Sequence, residues 1–450
     1  MQFRILKKYK DDILKTFKLA YPVMIGQLGI IMMGVVDSMM VGRLGSVQLA
    51  AASLGNSLVF LILILGIGSS AVVTPLIAIL IGSKRYSECG IYFRQSLLVN
   101  VVLSLLMIVV IFIGINFLGY LNQPQEITKY AVIYMGIVGL SALPLMIYQT
   151  YKQFIEGFSI MKPAMIIALL ANVINIFGNW ILIFGKLGFP ALGLAGAAWS
   201  TFISRVFMAS AMIIYVMKNE KFKDYDVNLH FRGLNLAVIK KIIQLGIPSG
   251  FQNFFEVGAF SIAVIMIGWI GANELAAHQI ALNLASITFM IVLGISQASS
   301  IRVGYAMGER DVKKIRRAGF TAIALGAGIM VFSGITFIVL NHFLPSLYIN
   351  DQNVIDIASG LLIIAALFQL SDGIQAVGIG VLRGLTDIKG PTIITFTAYW
   401  LISLPVAYLL AFIFNQGVYG VWVGLLIGLS VAAVLLTIRF NYKSKQIIQL

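Results

Sequence analysis

Twelve apolar stretches, each long enough to cross a lipid bilayer, constrain this sequence more than any other feature. A helix needs about 20 apolar residues to span the roughly 30 Å hydrocarbon core. Runs of that kind, bounded by polar residues, Gly or Pro, fall at about 14–40, 50–82, 92–119, 127–155, 163–185 and 190–217 in the first half. In the second half they fall at about 241–269, 276–306, 315–341, 354–381, 391–414 and 418–440. The fold class expected is an all-α integral membrane protein. Composition points the same way, because only 11% of the 450 residues are charged and 60% are hydrophobic, against about 25% charged in soluble domains. The first run exceeds the roughly 7–15 residues of a signal-peptide core and has no small-residue cleavage site, so it reads as the first membrane helix.

A formal charge of +15 would suggest nucleic acid in a soluble protein. Here the basic residues sit in short loops, where they set membrane orientation instead. With the N-terminus placed in the cytoplasm, the inside segments carry Lys7, Lys8, Lys10 and Lys15; Lys84, Arg85 and Arg94; Lys152 and Lys162; and Lys218, Lys221, Lys223, Arg232, Lys240 and Lys241. They continue with Arg310, Lys313, Lys314, Arg316 and Arg317; Arg383 and Lys389; and Lys443 and Lys445, whereas the outside keeps Arg43, Lys129 and Lys186. One missed helix would scramble that alternation, so the count and two cytoplasmic termini are expected together. Residues 218–240 form the longest polar stretch and read as a linker, giving an N-lobe over 1–217 and a C-lobe over 241–450. The single Cys89 excludes an internal disulfide, and His230, His278 and His342 are too scattered for a metal-ligand spacing.

The two halves repeat at an offset of 226 residues. Val41–Ala51 (VGRLGSVQLAA) matches Ile267–Ala277 (IGWIGANELAA), and the same offset pairs Pro22 with Pro248, Gly68 with Gly294, Ser70 with Ser296 and Gly82 with Gly308. Further on, YLNQP at Tyr120–Pro124 resembles YINDQ at Tyr348–Gln352. Six spans per half put both halves in the membrane the same way round, as parallel repeats. Two matched bundles form the common chassis of alternating-access transporters.

Three acids stand inside spans: Asp37 in the first, Glu256 in the seventh and Asp372 in the tenth. An aspartate at a helix centre is disfavoured by about 2.5–3.5 kcal/mol, so such residues are expected to bind a cation or carry protons. Arg205 is the one deep base expected to pair with any of them. Asn172, Asn175 and Asn179 share a helix face by their spacing. Their amide oxygens suit a cation site, or simply link helices. Thr201 could complete such a set. Phe368, one turn before Asp372, offers either a cation–π face or plain packing. The many methionines, Met32, Met33, Met39, Met40, Met208, Met212 and Met266 among them, suit an adaptable binding surface or lipid contact. Pro22 and Pro248 lie near span ends and read as helix starts, whereas Pro144 and Pro405 lie deeper and read as hinges.

Taken together, the repeated VGRLGSVQLAA and IGWIGANELAAHQIALN segments and RGLTDIKGP at Arg383–Pro391 resemble the multidrug and toxic compound extrusion (MATE) transporters. The three intramembrane acids resemble their NorM-like branch. The resemblance covers about Phe17 to Arg439. It implies a multi-pass protein of the bacterial inner membrane, a monomer among membrane lipids, exporting cationic amphipathic drugs in exchange for Na⁺ or H⁺. It places a C-lobe cation site, with Na⁺ or H⁺ as the coupling ion and no cofactor, at Glu256 and Asp372. Asp37, Asn175, Asn179 and Thr201 would form a second cluster in the N-lobe. Met33, Gln279 and Asn283 are expected to line the substrate cavity. Where some NorM-like proteins have a tyrosine one turn before the span-ten aspartate, this chain has Phe368, which removes a hydroxyl ligand. The competing reading is a lipid-linked oligosaccharide flippase of the same superfamily. It would need several deep bases for a pyrophosphate, where the sequence offers essentially Arg205. A channel would show rings of like residues along a pore. An enzyme is disfavoured, since no nucleophile–base pair, metal cluster or phosphate loop appears.

Overall fold

The structure is a computed structural model that describes residues 2–121, 124–227 and 233–446, with residues 2–9 as backbone alone. The side chains of Lys7 and Lys8, and residues Asn122, Gln123, His230 and Arg232, lie outside the described residues. Among the described residues, twelve helices are long and apolar enough to cross a membrane. They are α1 (Lys10–Gly42), α2 (Ser46–Gly82), α3 (Tyr86–Asn116), α4 (Gln125–Gly157), α5 (Lys162–Phe184) and α6 (Leu194–Lys218). Then come α7 (Leu236–Ile270), α8 (Ala272–Gly308), α9 (Val312–Val339), α10 (Gln352–Gly384), α11 (Lys389–Ile413) and α12 (Gly417–Gln446). The repeat is visible in the backbone. Left-handed residues recur in pairs, Lys84 with Arg310, Ser159 with Thr386 and Leu187 with Asn415, all at φ between 55° and 63°. Each pair marks the same sharp exit from a helix, a conformation that is disfavoured outside glycine and so reflects a shared local geometry.

The chain forms two compact units, Ile25–Gly250 and Met1–Met24 with Phe251–Leu450. This differs from the expected division at 218–240. The cuts fall inside α1 and α7, because the first half of each helix packs with the unit that the rest of the helix leaves. Both cuts come two residues after the equivalent prolines, Pro22 and Pro248. Those prolines are helix-internal rather than helix starts, since the helical backbone runs Gln2–Gly42 and Leu236–Ile270. Each removes the N–H that would bond the carbonyl four residues earlier, at Lys18 or Gln244, which loosens the helix at the crossing point.

In the unit Ile25–Gly250, the core joins Val59 and Leu63 of α2, Met107 and Ile111 of α3, Met135 and Met146 of α4, and Ile183 of α5. The start of α7 lies tight on α2. A Cβ at Gly250 would stand 2.5 Å from the Leu65 carbonyl oxygen, and one at Gly246 would stand 2.7 Å from Ser69 Oγ. Small residues one turn apart are how membrane helices bring their backbones together. The segment expected to be a linker is docked here too. Phe222 is buried against Phe154 and Phe158, and Arg94 donates to the Asp226 carbonyl at 2.5 Å and to its carboxylate at 3.1 Å.

In the other unit, the start of α1 packs on α8, where a Cβ at Gly294 would stand 2.9 Å from the Ala20 carbonyl. Asp12 is buried and accepts from Arg302 and Arg317, and Arg302 also donates to Thr16 Oγ1 at 2.6 Å. The core around Trp422, Phe368, Tyr399 and Leu361 joins α10, α11 and α12. Three helices are interrupted at prolines. α2 turns at Ala71–Val72 before Pro75, α4 at Ser141 before Pro144, and α11 contains π-helical stretches, Thr397–Ser403 and Leu409–Ile413, on either side of Pro405. A missing proline N–H frees a carbonyl, and the backbone resolves the deficit by breaking or widening a turn.

Candidate functional site

Each unit contains a polar cluster built around intramembrane acids: Asp37 in Ile25–Gly250, and Glu256 with Asp372 in the other. In Ile25–Gly250 it lies on α1, α5 and α6. Asn179 Nδ2 donates to Asp37 Oδ1 at 2.5 Å and, more loosely, to Asn175 Oδ1 at 3.3 Å. Both asparagines are fully buried, and Asn175 Nδ2 and Asn179 Oδ1 have no hydrogen-bond partner among the described residues. An orphaned amide in a dry site is unfavourable by about 1–3 kcal/mol. One donor and one acceptor left open beside a carboxylate are suited to a ligand. The third member of the stripe differs: Asn172 Nδ2 donates to the Gly29 carbonyl at 2.7 Å and joins α5 to α1. Thr201 is buried but makes no side-chain hydrogen bond with a described residue. Its neighbour Ser200 instead donates to the Asn175 carbonyl at 2.8 Å. Arg205 lies within electrostatic reach of Asp37 without pairing to it, and donates to Ser141 Oγ at 2.7 Å, at the break in α4.

The second cluster joins α7, α10 and α11. Asp372 is 5% exposed and makes no hydrogen bond or ion pair with a described residue, while Glu256, close enough to interact with it electrostatically, is half-buried. Gln375 Nε2 donates to Glu256 Oε1 at 3.3 Å, and the Tyr399 hydroxyl donates to Gln375 Oε1 at 2.8 Å. Arg383, whose buried Nε has no hydrogen-bond partner among the described residues, is within reach of Glu256. Arg205 is therefore not the one deep base: Arg383 stands near an acid that the sequence left alone. Phe368 is buried with ring centroids 6.1 Å from Phe260 and 5.8 Å from Trp422, in aromatic packing, and Trp422 Nε1 donates to His278 Nδ1 at 3.1 Å. Gln279 and Asn283 are exposed one turn apart on α8, and Met33 is half-buried on α1. Met208, Met212 and Met266 are buried packing residues.

Sequence reasoning missed Gln375, Tyr399 and Arg383. Gln375 had a signal, three residues after Asp372 on the same helix face. Tyr399 had a weaker one, six residues before Pro405. Two further acids are buried outside these clusters, Asp12 with its two arginines and Glu156 with Lys152 at 3.9 Å. Among the described residues no group of three or more His, Cys, Asp or Glu side chains could hold a metal ion. A carboxylate pair with neutral oxygens nearby suits a hard monovalent cation or a proton rather than a resident transition metal.

Twelve candidate membrane spans, with a repeated local geometry and an intramembrane acid in each unit, are the features of a multi-pass membrane transporter. The MatE family model matches residues 22–181 and 248–409, one block in each half. A probable multidrug resistance protein NorM of Mesorhizobium japonicum is 37% identical, over 96% of this chain and 94% of its own length. The multidrug resistance protein MdtK of Yersinia enterocolitica is 34% identical, over 98% of both chains. The fold matches the eukaryotic MATE transporter AtDTX14, with a TM-score of 0.88 at 20% identity over 98% of this chain and 99% of that one. It also matches an outward-facing multidrug resistance MATE family transporter, with a TM-score of 0.89 over 98% and 97%. The chain belongs to the MatE family. It is a multi-pass membrane transporter and not an enzyme.

Proposed function

We propose that the protein exports cationic, amphipathic compounds by antiport against Na⁺ or H⁺, with Glu256 and Asp372 as the coupling-ion site and Asp37, Asn175 and Asn179 as a second polar site. The observation that carries this reading is Asp372: a buried carboxylate with no hydrogen-bond or ion-pair partner among the described residues. Such a group must be neutralised by a proton or a cation, because an isolated buried charge is prohibitively unfavourable. Thr201, Phe368, Met33, Gln279 and Asn283 stay outside the coupling-ion site in this proposal, with exposed Gln279 and Asn283 available to cargo. Both termini face the cytoplasm in this reading, in line with the basic residues of the connecting segments, and the protein acts as a monomer in the bacterial inner membrane.

Relatives named as multidrug resistance proteins support the cargo class. Carboxylates that outnumber nearby bases favour cations, because a like charge entering a low-dielectric site is strongly opposed. The test is efflux from proteoliposomes under separately imposed Na⁺ and H⁺ gradients. Cationic dyes are exported and matched anionic compounds are not, and Glu256→Gln or Asp372→Asn abolishes gradient-driven efflux at equal protein content. Export of an anion without export of cations returns the flippase reading.

A further inference from the structure

Two fully buried polar side chains beside Glu256 have no role in that proposal. Tyr399 and Gln375 are inaccessible to solvent, and they form a hydrogen-bonded chain that runs from the Tyr399 hydroxyl through the Gln375 amide to the Glu256 carboxyl group. Phe368 brings no oxygen to this site, whereas the amide and the phenol set neutral polar groups beside Glu256.

The direction of the chain follows from its members. An ionised carboxylate and an amide oxygen can only accept, whereas a hydroxyl can donate or accept. With Glu256 ionised, Gln375 turns its NH₂ toward the carboxylate and its oxygen toward Tyr399, and every link is satisfied. A proton on Glu256 Oε1 forces the amide to turn over, so that Tyr399 must accept and its own O–H loses its partner. A proton on Oε2 leaves the geometry alone but removes the charge that makes a hydrogen bond to carboxylate roughly twice as strong. A bound Na⁺ does neither, because the carboxylate stays an acceptor. Among the described residues, the other charged groups facing Glu256 are Asp372 and Arg383 on α10, which act with opposite sign. Neither effect depends on the phenol.

The backbone presents Tyr399 for this task. It lies in the π-helical stretch Thr397–Ser403, where the Leu404 N–H donates to the Tyr399 carbonyl five residues back. Such widened turns concentrate at functional sites.

We propose that Tyr399, acting through Gln375, is a positioning residue that sets the preference of the Glu256–Asp372 site toward Na⁺ and against H⁺. This rests on the reading of that pair as the coupling-ion site. The experiment uses the full chain in proteoliposomes loaded with a cationic dye, driven either by Na⁺ at fixed pH or by a pH gradient without Na⁺. Tyr399→Phe keeps the ring and removes the hydroxyl alone. The half-saturating Na⁺ concentration rises about three- to tenfold, the size of one net hydrogen bond, while proton-driven efflux stays within about twofold of wild type. Gln375→Leu, which also removes the donor to Glu256, moves Na⁺ dependence in the same direction and further. An unchanged Na⁺ requirement in both variants overturns the proposal. Equal loss of both driving modes also overturns it, since that is the signature of a structural role, as does wild-type efflux indifferent to Na⁺. Glu256→Gln in the same series separates the two ideas. If it transports like wild type, the coupling-ion site itself is misplaced. If it is inactive while Tyr399→Phe is unaltered, only the role of Tyr399 falls.

Discussion

Replacing Asp372 with asparagine should improve the stability of the ion-free protein while disabling transport. An aspartate at mid-membrane depth is disfavoured by about 2.5–3.5 kcal/mol, and a neutral polar group by roughly 0.5–2 kcal/mol where partners are incomplete. Asp372 is 5% exposed and loses no hydrogen bond or ion pair with a described residue on substitution. Asp372→Asn is therefore expected to stabilise the Na⁺-free protein by about 1–2 kcal/mol. The same substitution at Asp12 has the opposite sign, because that carboxylate accepts from Arg302 and Arg317. Breaking a buried ion pair is unfavourable by about 3–5 kcal/mol. With the Arg317 side chain 31% exposed, a loss of about 2–3 kcal/mol is expected after allowing for screening. The assay is thermal unfolding in nanodiscs at pH 8, in choline and then in Na⁺. A ligand that binds the native state at 100 times its dissociation constant adds about 2.7 kcal/mol. Wild type should show a Na⁺-dependent gain, and Asp372→Asn should show none. A variant less stable than wild type by 1 kcal/mol or more in choline, or one with the full Na⁺ gain, refutes the reasoning and makes Asp372 structural.

Asp37→Asn keeps an acceptor for Asn179, so the protein should fold normally. Its dye affinity should change more than its Na⁺ dependence, the reverse of Asp372→Asn. Dye binding by the purified variants with and without Na⁺ measures this, and identical losses of coupling would merge the two clusters into one functional site. Gly250→Val puts a branched side chain where even a Cβ stands 2.5 Å from the Leu65 carbonyl oxygen. Overpacking of this kind is unfavourable by about 1–3 kcal/mol. The unfolding temperature should fall, with a smaller effect for Gly268→Val, where a Cβ meets nothing within 4 Å.

The twelve spans were legible because lipid exposure and helix length are written directly into hydropathy. Their ends were less so. The hydropathy pattern places the first span at 14–40, yet the helical backbone of α1 begins at Gln2, because a helix continues past the bilayer on polar residues, here Lys10, Asp11 and Asp12, that hydropathy discounts. For the same reason Pro22 looked terminal when it is internal. Carboxylates were legible because charge in lipid is expensive. Gln375 and Tyr399 were less so, their positions near Asp372 and Pro405 aside, since a neutral amide and a phenol carry no comparable penalty until folding buries them together. Arg383 misled for a related reason: beside a loop it resembled one more orienting charge, and its nearness to Glu256 is a property of packing alone.

The crossing of α1 from one unit to the other has a consequence for biosynthesis. Met1–Met24 belong with residues that begin at Phe251, so 226 residues must be made before their partners exist. At roughly 5–20 residues per second, that interval is on the order of 10–45 s. The first helix to enter the membrane is thus half-finished for most of translation, with Asp12 waiting for Arg302 and Arg317. A nascent chain halted near Gly250 holds one complete unit and a leading helical segment with nothing to dock on, which makes the second half of the gene the template on which the first residues fold.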